Sequence, residues 1–244
     1  MKSAWIYLII IAVLALIVIA NQLWIINLSI RKAAPAIEST KSFQQHDIEA
    51  KKKILVIGDS TAVGIGSSDG KYSIAGRFGE DYRNYHIETI ATSGHRLNQF
   101  IPFPKTLAKK YDIVLIQLGA NDILKGTSYK DIEVQLKEIL LGAHKKSDNV
   151  VILHSGNVGL SPMFRFPFNY YMAHRTRKVR EIYLELCKKT DTAYVDLFKE
   201  KEGDLFSKDI EKYYAQDKLH LTDEGYAFWY SEVRKAMKEN NIKI

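Results

Sequence analysis

The sequence predicts an α/β fold: a three-layer α/β/α sandwich around a mostly parallel five-stranded sheet, preceded by one transmembrane helix. Three observations predict it. From about Lys53 onward short apolar runs alternate with longer amphipathic stretches, the pattern of strands buried on both faces and joined by crossover helices. Residues Ala4 to Ala20 carry no charge and almost no polar atom, which no surface helix of a water-exposed domain tolerates. With 244 residues, 46% hydrophobic and 26% charged, the chain holds one well-buried domain plus an appendage and is too short for two ordinary enzyme domains.

Taken in order, the N-terminal apolar run weakens at Asn21-Gln22 and resumes as Leu23-Trp24-Ile25-Ile26. Trp5 and Trp24 stand nineteen residues apart, about 28 Å at a helical rise of roughly 1.5 Å per residue. That sets both indoles at the edges of a hydrocarbon layer about 30 Å thick. The stretch outruns the apolar core of a signal peptide, roughly 7 to 15 residues. Residues 1–30 therefore read as an uncleaved anchor meeting the membrane through residues 4–26; the competing reading is a cleaved signal peptide with Val18-Ile19-Ala20 before the cut. Lys2 and the amino terminus are opposed by Arg31, Lys32 and Lys41, which leans slightly toward a cytoplasmic globular domain and leaves its side of the membrane undecided. Residues 31–52 are polar, with Pro35 and no clear apolar period, and read as a linker or a loosely attached helix. The globular domain is expected over 53–244.

Within it the strands are expected at Ile54 to Ile57, His86 to Ile90, Ile113 to Leu118, Val150 to His154 and Ala193 to Val195. Helices are expected near Ile74 to Tyr82, Leu97 to Lys110, Asp131 to Lys146, Tyr171 to Lys189 and Thr222 to Asn240, the second made irregular by Pro102 and Pro104.

The net charge of +7 comes from scattered lysines and two dense spots, Lys51 to Lys53 and the run His174 to Arg180. Such runs are usually solvated faces, and beside an apolar anchor they also suit anionic lipid headgroups. Nucleic-acid binding is excluded as a leading class, because neither spot is interleaved with aromatics in a recognised module pattern. No group of His, Cys and carboxylates has metal-ligand spacing, so no metal is expected, and no organic cofactor. Cys187 is the single cysteine; it can form no intramolecular disulfide and reads as a packing residue.

Open parallel sheets place their sites beyond the carboxyl ends of the strands, where strand order reverses. After the first strand comes Gly58-Asp59-Ser60-Thr61, after the second Ser93-Gly94-His95, and after the third Gly119-Ala120-Asn121-Asp122. Before the last helix stands Asp217-Lys218-Leu219-His220, followed by Thr222 and Gly225. A hydroxyl, a glycine amide, a side-chain amide and a carboxylate-histidine pair thus converge on one rim.

These four segments, in this order and over essentially all of Lys53 to Asn240, resemble the signature blocks of the SGNH, or GDSL-like, serine hydrolases. The combination is far more specific than a lone Gly-Asp-Ser. The resemblance implies a flavodoxin-like sandwich and an esterase: a carboxylic ester hydrolase acting on a lysophospholipid, another lipid ester, a thioester or a carbohydrate acetyl ester. It implies Ser60 as nucleophile, His220 as its base and Asp217 as the group orienting the ring, with the Ser60 and Gly94 amides and the Asn121 side chain as oxyanion hole. The chemistry asks for these residue types, since a serine hydroxyl attacks only with a base in reach and a third group fixing that base's tautomer. The developing oxyanion needs preorganised donors, each worth about 3 kcal/mol of barrier.

Each residue also has a plainer reading. Ser60 could cap a helix, Gly94 and Asn121 could be turn residues, Asp217 could pair with Lys218, and His220 could be a surface histidine. Asp59 is expected to be structural, accepting local hydrogen bonds. His154 and His95 fall at strand ends and are expected to line the pocket. The aromatics of Pro162 to Tyr171, with Phe164, Phe166 and Phe168, are candidates for an acyl pocket or a bilayer-facing surface. Rival classes are a phosphate-binding loop at Gly58 to Gly66, disfavoured by Asp59 and the missing G-x-G-x-x-G, a tethered non-catalytic module, and acyl transfer to a sugar or lipid hydroxyl.

Overall fold

A computed structural model describes residues 2–47, 49–102, 107 and 110–242 of the chain. It begins with one unbroken helix, α1 (Lys2–Ser39). The sheet follows: β1 (Lys53–Gly58), β2 (His86–Ala91), β3 (Ile113–Gln117), β4 (Val150–Leu153) and β5 (Ala193–Val195). All neighbours are parallel, in the order β2-β1-β3-β4-β5. Ile57 lies opposite Ile90 on one side and Ile116 on the other, and Ile116 opposite Ile152. Winding reverses between β1 and β3, so the crevice of a doubly wound sheet opens there.

The connections are α2 (Ser60–Val63), α3 (Ile74–Asp81), α4 (Ala120–Leu124), α5 (Tyr129–His144), α6 (Phe168–Thr190), α7 (Ile210–Tyr213) and α8 (Asp223–Glu239). Strand side chains alternate between two cores. Ile54 and Val56 join Phe78 of α3 and Tyr226 and Val233 of α8 in one. Leu55 and Ile57 join Leu136 of α5 and Val179 and Tyr183 of α6 in the other. Because both faces of β1, β3 and β4 are covered, their sequences are apolar without alternation.

Two segments are held more tightly than their sequences suggest, and one expectation lies partly outside the described residues. The segment 31–52, expected as a linker or a loosely attached helix, is partly helical and held to the domain. Its first part continues α1 to Ser39, and the next residues are strapped to β2: Gln45 and Ile87 exchange backbone bonds of 3.0 and 2.9 Å. The Gln44 side chain brackets the Thr89 amide and carbonyl, and Phe43 packs on the core. The reason is that β2 is an edge strand, whose unpaired backbone groups need partners. The basic run His174 to Arg180 is partly solvated and largely ion-paired. On a helix its members point in different directions: Arg175 is buried, Arg177 pairs with Glu200, Lys178 with Glu181 and Arg180 with Asp196. Of the helix expected over Leu97 to Lys110, a 3-10 turn forms at Leu97–Phe100, while 103–106, 108 and 109 fall outside the described residues.

Candidate active site

The Gly-Asp-Ser turn after β1 divides its labour. Asp59, not Ser60, caps α2: its Oδ1 accepts from the Thr61 amide and hydroxyl, both at 3.0 Å. Ser60 is thereby relieved of capping and stands as the first residue of the helix, its amide at a terminus where no intrahelical acceptor exists. Burial raises the Asp59 carboxyl above its ordinary value, opposed by the bonds from Thr61. Its Oδ2 accepts from Asn121 Nδ2 at 3.2 Å, which orients that amide and leaves its second hydrogen for another acceptor.

The segment Asp217 to His220 folds on itself. Asp217 Oδ1 accepts the backbone amides of Leu219 and His220, both at 2.9 Å, and Oδ2 lies 2.5 Å from His220 Nδ1. Burial pushes this carboxyl up, but the His220 ring and the two amides more than offset it, holding Asp217 below the usual carboxylate range. A carboxylate only accepts, so Nδ1 carries the hydrogen and Nε2 is left as a base. Nε2 lies 2.8 Å from Ser60 Oγ. Ser60, Asp217 and His220 are all buried, at 9, 4 and 7% exposure, so little water competes for their bonds.

Distant contacts fix this chain of three. Tyr226 Oη donates to Ile65 O at 2.8 Å, tying α8 to the Ser60 turn, and Ser161 Oγ donates to Lys218 O at 2.6 Å. Gly94 has φ +79°, a region that favours glycine, and its carbonyl accepts from Lys125 Nζ at 2.7 Å. Gly119, at φ +116°, starts α4, and a Cβ there would strike the Tyr183 hydroxyl. Asp122, fully buried, accepts the Leu97 amide at 3.0 Å and so joins α4 to the Gly94 loop. Arg175 donates to the carbonyls of Asp122, Ile123 and Thr127, closing the other end of α4.

These groups open on a cavity of about 460 Å³, with Ser60, Gly94, Asn121 and His220 in its lining. That volume suits a small-molecule site. Of the sequence-predicted substrate residues, Phe164 lines it; His154, Phe166 and Phe168 do not. His154 is buried against the Tyr183 and Tyr194 rings, centroids 4.9 and 5.9 Å away, and burial pushes its imidazole down to about 4. Phe168 packs on the core beneath, and Phe166 is 75% exposed. His95 stacks edge-on against Phe100 rather than lining the cavity. Lys125, Asp122 and Ser161 are not distinguished by sequence. Neither is the part of the lining formed by Ile26, Ser29, Ile30, Ala33 and Ile37 of α1.

A family model described as GDSL-like Lipase/Acylhydrolase matches residues 56–228. The chain belongs to this family of ester hydrolases. The matched stretch holds every residue of the Ser60 and His220 turns and excludes α1. No curated protein matches the chain by sequence. Among solved structures, TesA is 20% identical over 78% of this chain and 99% of its own, with a TM-score of 0.62. An extracellular lipase from Streptomyces rimosus is 12% identical over 76% of this chain and 99% of its own, TM-score 0.60. A variant of the acetyl xylan esterase Axe2 from Geobacillus stearothermophilus is 18% identical over 80 and 97%, TM-score 0.54. At such identities these establish the shared GDSL fold, a five-stranded parallel sheet between helices. This chain adds one apolar helix, long enough from Ala4 to cross a membrane.

Proposed function

We infer that the protein is a serine esterase cleaving acyl esters with an apolar chain, held at a membrane by its first helix. One observation carries the reading: the hydrogen-bonded series Asp217, His220, Ser60 faces a largely apolar cavity beside a fixed Asn121 amide. In the first step His220 Nε2 takes the Ser60 proton as Oγ attacks the acyl carbon. The Ser60 and Gly94 amides and Asn121 Nδ2 receive the oxyanion, each worth about 3 kcal/mol at the transition state. Collapse returns the proton from His220 to the leaving alcohol and leaves an acyl-serine. Water, deprotonated by the same ring, then releases the acid. Asp217 stays ionised throughout, holding the tautomer and stabilising the imidazolium.

The seat of Gln22 marks where the apolar half of α1 leaves the domain, and the length of that half favours an anchor over a cleaved signal. Gln22 is 3% exposed and its side-chain amide is bonded at both ends to the domain, to Met163 O at 2.9 Å and from the Arg165 amide at 3.0 Å. Residues 4–21 are exposed and uncharged, close to the roughly 20 residues that span a bilayer.

Aryl esters of increasing chain length, assayed with the full chain in detergent, test the function. The expected kcat/KM rises from acetyl to at least octanoyl, and Ser60→Ala removes it by about 10⁵-fold or more. A flat or falling series refutes the apolar-chain assignment; activity persisting in Ser60→Ala refutes the mechanism.

A further inference from the structure

The first half of α1, from Ala4 to Asn21, is exposed along its whole length, as a helix facing lipid is. The second half touches protein chiefly along one stripe: Gln22, Ile25, Ile26, Ser29, Ala33 and Ala36 are buried or half-buried, with Ala34 half-buried beside it. Their spacing of three and four residues keeps them on one face. Only two of the six are large aliphatics; the rest are polar or small, the composition that lets a helix approach closely. Gln22 locks this face to Met163 and Arg165, and Ile25 and Ile26 pack on the core that contains Val158, Met163 and Phe164.

The same half-helix closes the cavity. Ile26, Ile30, Ala33 and Ile37 supply apolar surface to the cavity that Ser60 lines, and Met163 and Phe164 continue it toward Gln22. From Ile26 to Ile37 is eleven residues, about 16 Å of helix, while Ile26 lies only about 6 Å beyond Gln22 at roughly 1.5 Å per residue. The lower end of the cavity therefore stands one helical turn from where the exposed apolar half ends. That level is also marked by side chains suited to a headgroup zone: Trp24 is 65% exposed, and Phe166, Tyr170 and Tyr171, just past the Gln22 seat, are 75, 68 and 55% exposed. Among the described residues these three are a cluster of large exposed aromatics outside α1.

We propose that Ile26 to Ile37 form the specificity wall of the acyl cavity, and that the substrate is a lipid ester of the bilayer α1 crosses, passing upward along Ile26 and Ile30 to Ser60. The assignment rests on the esterase reading and adds to it where the chain of the substrate lies and from which side it comes. Each methylene leaving lipid for this wall exchanges one apolar setting for another, so the bilayer imposes no penalty on transfer along the helix.

The test uses the full chain reconstituted in phosphatidylcholine vesicles, with 4-methylumbelliferyl palmitate as the lipid ester and the acetate as the soluble one. With palmitate in the enzyme's own vesicles, hydrolysis is expected at least tenfold faster than with the same palmitate in separate vesicles. Equal rates overturn access from the bilayer. Ala33→Phe, which fills the wall, is expected to lower the palmitate-to-acetate ratio of kcat/KM tenfold or more, while Leu28→Phe on the outer face leaves it unchanged. An unaltered ratio in Ala33→Phe overturns the wall. Labelling of Ser60 by a small fluorophosphonate reports a folded site; should Ala33→Phe fail it, Ile30→Trp, at a more exposed wall position, is read by the same ratio. Wild type that neither takes the label nor cleaves the acetate defeats the esterase reading itself, a result distinct from both others.

Discussion

On one side of the cavity, Ser60, Asn121, Asp217 and His220 are held by turns that largely close on themselves: Asp59 on Thr61, Asp217 on Leu219 and His220. On the other side, Ile26, Ser29, Ala33 and Ile37 arrive on a helix that begins outside the family-matched residues 56–228 and is fastened by Gln22 to Met163 and Arg165, more than a hundred residues away. The first side lies within the family-matched residues and is proposed to carry reactivity. The second lies outside them and is proposed to carry selectivity. Changes on the two sides should therefore separate kcat from chain-length preference.

The largest effect expected is on the reactive side. Asp217→Asn keeps the volume but removes the acceptor that holds the His220 tautomer, and kcat should fall about 10⁴-fold with chain-length preference intact. A loss below tenfold in steady-state assays would show that Asp217 does not orient the base. Asn121→Ala should lower kcat by about 10²- to 10³-fold with a smaller change in KM, since its amide is needed most when the oxyanion forms. A change confined to KM would place Asn121 in ground-state binding instead.

A third effect lies beneath the site and separates stability from chemistry. Burial holds the His154 imidazole down at about 4, below its ordinary 6.5, with Asp196 and Arg180 nearby. The unfolded chain binds this proton more readily, so the contribution of His154 to stability is complete above about pH 6.5 and is lost as pH falls toward 4. The loss amounts to about 3 kcal/mol. In His154→Phe, urea titrations between pH 7 and 4 should show a flatter decline than wild type, whereas identical slopes would mean that His154 does not titrate in this window. The smallest effect is on the selective side: Gln22→Ala strands the Met163 carbonyl and the Arg165 amide, and should weaken the seat by roughly 1–3 kcal/mol. Faster hydrogen exchange at the Arg165 amide would report it; unchanged protection would show that α1 is held elsewhere.

The same division explains what the sequence can tell. The strands are legible because β1, β3 and β4 are covered on both faces and so read as unbroken apolar runs. The reactive groups are legible because each lies in a short turn whose own residues supply the hydrogen bonds, so spacing alone brings Asp217 to His220. The capping duty of Asp59 is half visible: a structural role is expected, but not the link to Asn121. The seat of α1 is hidden because its docking face uses Gln22, Ser29 and Ala33, which a hydrophobic period assigns to the outside. The one visible trace is the weakening of the apolar run at Asn21-Gln22. Arg175 escapes the sequence for a related reason: a linear cluster of cations says nothing of which member a helix turns inward, and this one serves the carbonyls of α4.

The nucleophile itself can be tested without knowing the substrate. A fluorophosphonate incubated with the full chain should form one adduct, mapped by peptide mass spectrometry to Ser60, and His220→Ala should slow its formation at least a hundredfold while the fold persists. An adduct on another residue, or an undiminished rate in His220→Ala, would contradict the claim that this imidazole activates that hydroxyl.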